Sequence, residues 1–231
     1  VNFSFEENDG VMILGQIGWT PEFFKRPVTR AAADSASTAK AAIAPGDGRV
    51  VFDDDAENAT VDSTMRGLPG HYWFGGYYSS WSYPQFGTAD TAANAYGFYW
   101  HADQMVFQEE PGSSQGLTLW TAFVLSPQEN IAKLPFQWNC GAAYQGLLPQ
   151  RDQDTAMFGL AYGNFSDDYG NAGDAFNGDP VSYEMALEWG YRVQFSNFLY
   201  VQPNIQYIVQ PGGTGSIPDA FVLGMQIGVT F

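Results

Sequence analysis

Fifteen residues, VSYEMALEWGYRVQF at positions 181–195, alternate strictly between apolar side chains and polar or small ones. The eight apolar positions are Val181, Tyr183, Met185, Leu187, Trp189, Tyr191, Val193 and Phe195. Successive side chains of an extended strand point to opposite faces, so this period of two places all eight on one face. A helix would scatter the same groups around its axis. The unbroken apolar face is long for a water-soluble edge, and it suits a tilted transmembrane strand of about 9–11 residues with aromatic ends.

The last thirty-four residues, 198–231, repeat this alternation in two runs. Pro211-Gly212-Gly213 separates the runs, as a hairpin connection would. A soluble sheet with one wet face would show the same alternation, so that alternative stays open. The final run ends on an aromatic residue, Phe231, at the end of its apolar face. Closed outer-membrane barrels carry an aromatic girdle at each membrane interface, and this ending therefore favours a barrel.

The composition predicts an all-β protein. Aromatic residues make up 16% of the chain, glycine occurs 26 times and only 15% of residues are charged. No apolar run approaches the roughly 20 residues that a membrane-spanning helix needs. The net charge of −16 argues against nucleic acid as a partner. The single cysteine, Cys140, excludes an internal disulfide and a cysteine-based metal cluster.

The strands follow one another with connections of alternating length. A first strand spans 11–19, a flexible insertion is expected at about 21–66, and strands resume from Gly67, giving about nine in all. If the C-terminus lies at the periplasmic end, the connections at 164–180 and 211–220 are outer loops. The turn at 196–197 and the segment 147–154 are then inner, and the insertion falls on the periplasmic side. The N-terminus, VNFSFEENDG, has no initiator Met and no signal-peptide pattern, so we expect a removed leader or a start inside a longer protein.

The polar faces of these strands supply candidate pore-lining residues. A sugar needs many hydrogen-bond donors and acceptors, aromatic faces for its C–H surface, and few net charges. Glu184, Glu188 and Arg192 share one strand face about 13 Å apart, so they must contact neighbouring strands and not one another. The candidates are His101, Asp103, Gln137, Asn139, Gln145, Glu184, Glu188, Arg192, Gln202, Asn204, Gln206 and Gln226.

Enzyme chemistry finds little support in the sequence. The two histidines are thirty residues apart, so no HExxH metal motif exists, and GxSxG is also missing. The acidic run Asp53–Asp55 lacks the glycine and terminal glutamate of a calcium loop. Glu184 and Glu188 lie farther apart along one strand than the roughly 5–9.5 Å of a glycosidase pair. We therefore expect no catalysis, no metal and no cofactor, and we expect Cys140 to be an apolar filler on the lipid face.

Several segments together resemble a known family. QPNIQYIVQPGG followed by FVLGMQIGVTF resembles the C-terminus of the OprB-type carbohydrate-selective porins of Gram-negative outer membranes. So do GLPGHYWFGGYY, GFYWHADQMVF, GLTLW leading to Ser126-Pro127, and YQGLLPQRDQD. The resemblance covers most of the chain from about Gly10, apart from 21–66.

The resemblance implies a fold and a function. Members of that family look like transmembrane antiparallel β-barrels of about sixteen strands, so this chain is expected to form the C-terminal part of a single barrel domain. An odd strand number implies that an N-terminal half of the barrel, or another chain, completes it. The implied function is passive diffusion of small neutral saccharides across the outer membrane. A general porin, a porin for another solute and a soluble β-sandwich that binds carbohydrate remain alternatives.

The resemblance also implies partners. Phe231 becomes the signal that the barrel assembly machinery reads during insertion, and the apolar face meets outer-membrane lipid and lipopolysaccharide. A homo-oligomer stays open. The family's constriction is implied to depend largely on residues of the N-terminal half, which have no matching positions here.

Overall fold

The computed structural model describes residues 10–27, 65–173 and 178–230, and within them the chain forms one large antiparallel sheet. Its long strands follow the alternating segments of the sequence. The strands are β1 Met12–Trp19, β2 Glu22–Pro27, β3 Met65–Ser79, β4 Tyr83–Pro84, β5 Thr91–Ala92, β6 Ala95–Gln108, β7 Gly116–Leu125, β8 Phe136–Gln145, β9 Thr155–Asn164, β10 Tyr183–Ser196, β11 Leu199–Val209 and β12 Ala220–Val229. A helical turn, α1 Asp167–Asn171, and a 3-10 turn, Pro211–Gly213, lie in the connections.

The sheet is an up-and-down meander. Its strand order is β1-β3-β6-β7-β8-β9-β10-β11-β12, and every neighbouring pair is antiparallel. The predicted all-β class and antiparallel arrangement are confirmed, with nine strands along this path. β4 and β5 form a separate two-stranded sheet.

The insertion predicted at 21–66 is strand at both of its ends. β2 pairs with the first part of β3, and β3 begins at Met65. The alternation after Thr20 is hidden by a bulge between Phe23 and Arg26, where Phe24 adopts a left-handed backbone with φ of 54°. A bulge shifts the side-chain phase by one residue, which removes the period-two signal from a strand this short. Residues 28–64 lie outside the described part of the chain.

The connections differ in length at the two ends of the sheet. The segments 80–94, 126–135, 165–182 and 210–219 connect strands at one end, and the shorter 109–115, 146–154 and 197–198 connect them at the other, where β1 ends and β3 begins as well. The connections predicted at 164–180 and 211–220 thus share one end and 147–154 lies at the other, and which end faces the periplasm stays a prediction. The tight turn starts one residue later than expected because Ser196 still belongs to β10. Adjacent long connections contact each other, as in the hydrogen bonds from Phe86 N to the Asn130 oxygen and from Ser182 N to the Gly213 oxygen.

A buried carboxylate secures one short connection. Asp154 is 2% exposed and accepts hydrogen bonds from Arg151 Nε at 2.7 Å, Tyr191 Oη at 2.9 Å and Gln194 N at 2.9 Å. Burial raises the pKa of Asp154, but the hydrogen bonds from Arg151, Gln194 and Tyr191 outweigh that effect and hold its pKa below the ordinary value. The 146–154 turn is thereby tied to β10.

The sheet has almost no conventional core. Among the described residues, the buried apolar side chains of the core are Leu68, Ala102, Met105 and Phe165. Large apolar side chains are instead exposed along the strands, for example Leu223 at 71% and Trp189 at 52%. No helix in the described ranges is long and apolar enough to cross a membrane.

Candidate pore-lining surface

The sheet separates polar from apolar side chains by face. Residues directly opposite each other on paired strands share a face, so the register assigns each position. We call the face that carries Glu188, Gln206 and Asn139 the polar face, and the opposite one, with Trp189, Ile205 and Leu223, the apolar face. All twelve predicted pore-lining residues lie on the polar face, on β6, β8, β10, β11 and β12.

The apolar face is continuous across the sheet. One row of paired residues runs Phe158, Trp189, Ile205, Leu223 over four neighbouring strands. Rings on this face also contact one another, with the centroids of Phe158 and Trp189 5.0 Å apart. An exposed apolar surface of this extent is typical of a wall that meets lipid or another protein.

Two of the predicted charged residues of β10, Glu188 and Arg192, contact β11. Asn204 Nδ2 donates to Glu188 Oε1 at 2.7 Å, and Gln206 Nε2 donates to Glu188 Oε2 at 3.0 Å. Arg192 Nε donates to Gln202 Oε1 at 2.9 Å. These contacts agree with the spacing argument, which excluded pairing along the strand. The charges of Glu188 and Arg192 are therefore held by side-chain amides of a neighbouring strand.

A second set of contacts surrounds Arg192. Its guanidinium lies 4.4 Å from the centroid of the Tyr200 ring, a distance at which a cation is attracted to an aromatic face. Gln226 Nε2 donates to the Tyr200 hydroxyl at 3.1 Å. Arg192, Gln202 and Gln226 are thus joined in one network on the polar face.

His101 and Asp103 belong to a cluster that includes β3. The Asp103 carboxylate lies between two imidazoles, 2.7 Å from His71 Nδ1 and 3.3 Å from His101 Nε2. The Trp73 ring stacks on His71 with centroids 5.7 Å apart and lies 4.9 Å from the His101 ring. The group combines an acceptor, two imidazoles and an indole on the polar face.

The remaining candidates are spread over the length of the wall. Gln145 donates to Ser114 Oγ at 2.9 Å near the short connections, whereas Glu184 accepts from Gly212 N near the long ones. Gln137 and Asn139 lie between them on β8. Phe231 lies outside the described residues, and its role in insertion stays a prediction.

One long connection folds onto the polar face. The Leu134 side chain lies over Gly163. If Gly163 carried a Cβ, that atom would be 3.3 Å from Leu134 Cδ2. The neighbouring Lys133 ammonium is 4.7 Å from the centroid of the Tyr169 ring and 5.7 Å from that of Phe165. This connection covers part of the polar face at the end of the sheet that carries the long connections.

The sequence analysis missed several aromatic and imidazole groups of this face. Trp120 pairs with Asp103 and Gly141. The signal that could have found it is the apolar alternation of Leu117, Leu119, Phe123 and Leu125, with which Trp120 is out of phase. Tyr99 is in phase with His101 and Asp103 on β6, whereas His71 and Trp73 could be found only by assigning faces along β3. Tyr99 Oη donates to Gln16 Oε1 at 2.8 Å, which joins β6 to β1 across β3.

The described residues offer no group of three or more His, Cys, Asp or Glu that could hold a metal ion. Cys140 is a half-buried free thiol and pairs with Leu160 on the apolar face.

Known proteins share this sequence and this fold. The model of the carbohydrate-selective porin, OprB family, matches residues 1–231. A putative porin QuiX of Acinetobacter baylyi is 28% identical over 72% of this chain, and Porin B of Pseudomonas aeruginosa is 27% identical over 71%. The chain spans 42% of the length of each of these two relatives. The structure of OprB from Pseudomonas putida at high pH superposes with a TM-score of 0.67 and 25% identity, over 71% of this chain and 45% of that one. The chain belongs to the carbohydrate-selective porin family OprB.

Proposed function

We propose that this chain forms part of an outer-membrane channel through which small neutral saccharides diffuse passively. The observation that carries the proposal is the separation of the two faces. The polar face offers carboxylates, amides, imidazoles and aromatic rings, whereas the apolar face offers exposed hydrocarbon such as Leu223 and Met225. A barrel wall needs this combination, with water on one side and lipid on the other.

The sheet needs further strands to close. β1 and β12 stand at the two ends of the strand path, and each has one edge without a partner among the described strands. Unpaired backbone groups are costly in lipid, so a spanning sheet must close on itself. We propose that the strands closing this barrel come from a longer chain of the same protein or from another chain, in line with the lengths of the relatives.

The apolar face and the C-terminus suggest how the protein is placed in its membrane. The two relatives come from Gram-negative bacteria, whose outer membrane is the proposed location. There the apolar face would contact lipid and lipopolysaccharide, and Phe231 would be read by the barrel assembly machinery. A soluble β-sandwich would require a second sheet over the apolar face, and the described strands form one large sheet.

Liposome swelling tests the solute class. The full-length protein is reconstituted, and entry of glucose and arabinose is compared with that of uncharged amino acids of matched size and of a sugar acid. We expect sugars to enter fastest and the sugar acid slowest, with no swelling of empty liposomes. Equal rates for sugars and matched amino acids would identify a general porin and overturn the saccharide preference.

Cysteine accessibility tests the assignment of faces. In a background with Cys140→Ser, we place one cysteine at Asn139 on the polar face or at Met225 on the apolar face. A membrane-impermeant thiol reagent is expected to modify the cysteine at Asn139 and to spare the one at Met225 in lipid vesicles. The reverse pattern would refute the proposed wall.

A further inference from the structure

A row of paired residues crosses the polar face at the level of Trp120. Each member lies opposite the next on the neighbouring strand, so all of them lie in one row on the same face of the sheet. The order is Asp103, Trp120, Gly141, Gly159, Glu188 and Gln206, from β6 to β11. The row therefore places an indole and a carboxylate on either side of two glycines.

The two glycines form a seat for the indole. A Cβ at Gly141 would lie 2.7 Å from Trp120 Cζ2 and would also meet the Phe158 carbonyl oxygen, so this position excludes every other residue without rearrangement. A Cβ at Gly159 would lie 3.8 Å from the same ring atom. The ring thus extends along the wall from β7 over β8 toward β9. Its position depends on the lack of side chains beneath it.

The space beside the indole has the size of a ligand pocket. It is an open cavity of about 330 Å³, within the range of about 300–1,000 Å³ of small-molecule sites. Trp120, Asn139, Glu188, Gln202 and Gln206 line it together with small residues such as Ala161. The small residues leave room for a bulky solute between the indole and β10.

Glu188 is a fixed acceptor at the far side of this cavity. Each of its carboxylate oxygens accepts one amide hydrogen bond, from Asn204 and Gln206. A carboxylate has about four lone-pair sites, so about two remain for a ligand. The two amides hold the group in place, which lowers the entropy that a ligand must overcome when it binds.

We infer that Trp120 and Glu188 form a saccharide-binding subsite, in which a neutral pyranose stacks its C–H face on the indole and donates hydroxyl hydrogens to the carboxylate. The negative face of an aromatic ring attracts weakly positive C–H groups. Hydrogen bonds to a carboxylate are stronger than those to a neutral acceptor. The six residues of the row include two carboxylates and no lysine or arginine, so the row disfavours sugar acids. This inference rests on the proposed sugar channel and assigns its site.

The test measures how glucose blocks ion current through the full-length protein in planar bilayers. Trp120→Ala is expected to raise the half-blocking glucose concentration about tenfold, and Trp120→Phe, which keeps an aromatic face, by no more than about threefold. Trp189→Ala is the matched control, because it removes an indole from the apolar face of the same sheet. We expect glucose to block this control variant at the same concentration as it blocks the wild type. Single-channel conductance shows that each variant forms a channel.

Glu188→Gln separates recognition from folding. It keeps the size of the side chain and removes the charge, so glucose should block less strongly while glucuronate blocks more strongly. A merely structural role would shift both solutes in the same direction. If wild-type channels pass glucose in the swelling assay but Trp120→Ala leaves the half-blocking concentration unchanged, the subsite is refuted and the channel function stands. If the wild type excludes glucose, the proposed function itself fails.

Discussion

Placing a lysine on one face of β12 or the other should have opposite consequences in a membrane. Ten strand residues rise about 34 Å, and a tilt near 45° reduces this to about 24 Å along the membrane normal, close to the apolar band of about 25 Å. In the proposed outer-membrane barrel, the middle of β12, Ala220–Val229, therefore lies near the bilayer midplane. Met225, which is 68% exposed on the apolar face, and Gln226 on the polar face are neighbours at this depth.

Met225→Lys is expected to destabilise the folded barrel by about 2–4 kcal/mol, the cost of a lysine facing lipid at the midplane. This is a change of about 30-fold to 900-fold in the folding equilibrium constant. Gln226→Lys places the same charge in water and loses the hydrogen bond to Tyr200, which costs about 1 kcal/mol. Because the two positions are adjacent on one strand, their depth in the bilayer is matched. The expected difference of about 1–3 kcal/mol between the two losses in free energy of unfolding therefore reports only which face the lysine occupies.

Reversible urea unfolding of the full-length protein in phosphatidylcholine vesicles, followed by tryptophan fluorescence, measures both variants. Equal losses in free energy of unfolding for Met225→Lys and Gln226→Lys would show that β12 has no lipid side, and a larger loss for Gln226→Lys would reverse the faces. Either result would refute the assignment of wall and lumen.

Three further predictions follow from single contacts. Asp154→Asn should lower the free energy of unfolding by about 2 kcal/mol at neutral pH. The pKa of Asp154 is lower in the folded protein than in the unfolded chain, so the stability that its carboxylate contributes is lost as the pH falls. In acid titrations the difference between wild type and variant should therefore shrink below about pH 4 and vanish once the pH is below the folded pKa. Arg192→Gln removes a positive charge from the polar face and should move the reversal potential in a KCl gradient toward the potassium equilibrium potential. Glu188→Gln removes a negative charge and should move it toward the chloride equilibrium potential. A shift of the same sign for both variants would contradict their placement on the polar face. Gly141→Ala should weaken block of the ion current by glucose as much as Trp120→Ala does, because the added Cβ displaces the indole. Unchanged block would show that the indole does not depend on a glycine at this position.

Much of the sheet could be predicted because its signal is local. Alternation within one strand assigns a face without any knowledge of its neighbours, and this sufficed for residues as far apart as His101 and Gln226. The same locality explains the error near Thr20. Phe24 has a left-handed backbone conformation in a bulge of β2. The bulge shifts the alternation of side chains by one residue, so the sequence shows no period of two over this strand.

The contacts between strands could not be predicted, because register depends on pairs that are distant in sequence. The spacing along β10 predicts that Glu188 contacts another strand, but nothing near Glu188 identifies Asn204 and Gln206 as its partners. Likewise Trp120 reads as one aromatic among many until Gly141 is placed opposite it. Glycines in a strand predict a close approach, but not the group that approaches.

The order of groups along the polar face suits a channel better than a tight binding site. Positions on β8 recur every two residues, about 7 Å apart, and each level offers different chemistry. Gln137 lies near the folded connection with Leu134, Asn139 follows, Gly141 marks the level of the indole, and Gln145 lies near the short connections. In the proposed channel, a sugar that leaves one level would meet new hydrogen-bond partners at the next, so no single site would have to replace its whole hydration shell. Conduction requires binding that is favourable enough for entry and weak enough for release, and several moderate sites in series satisfy both conditions.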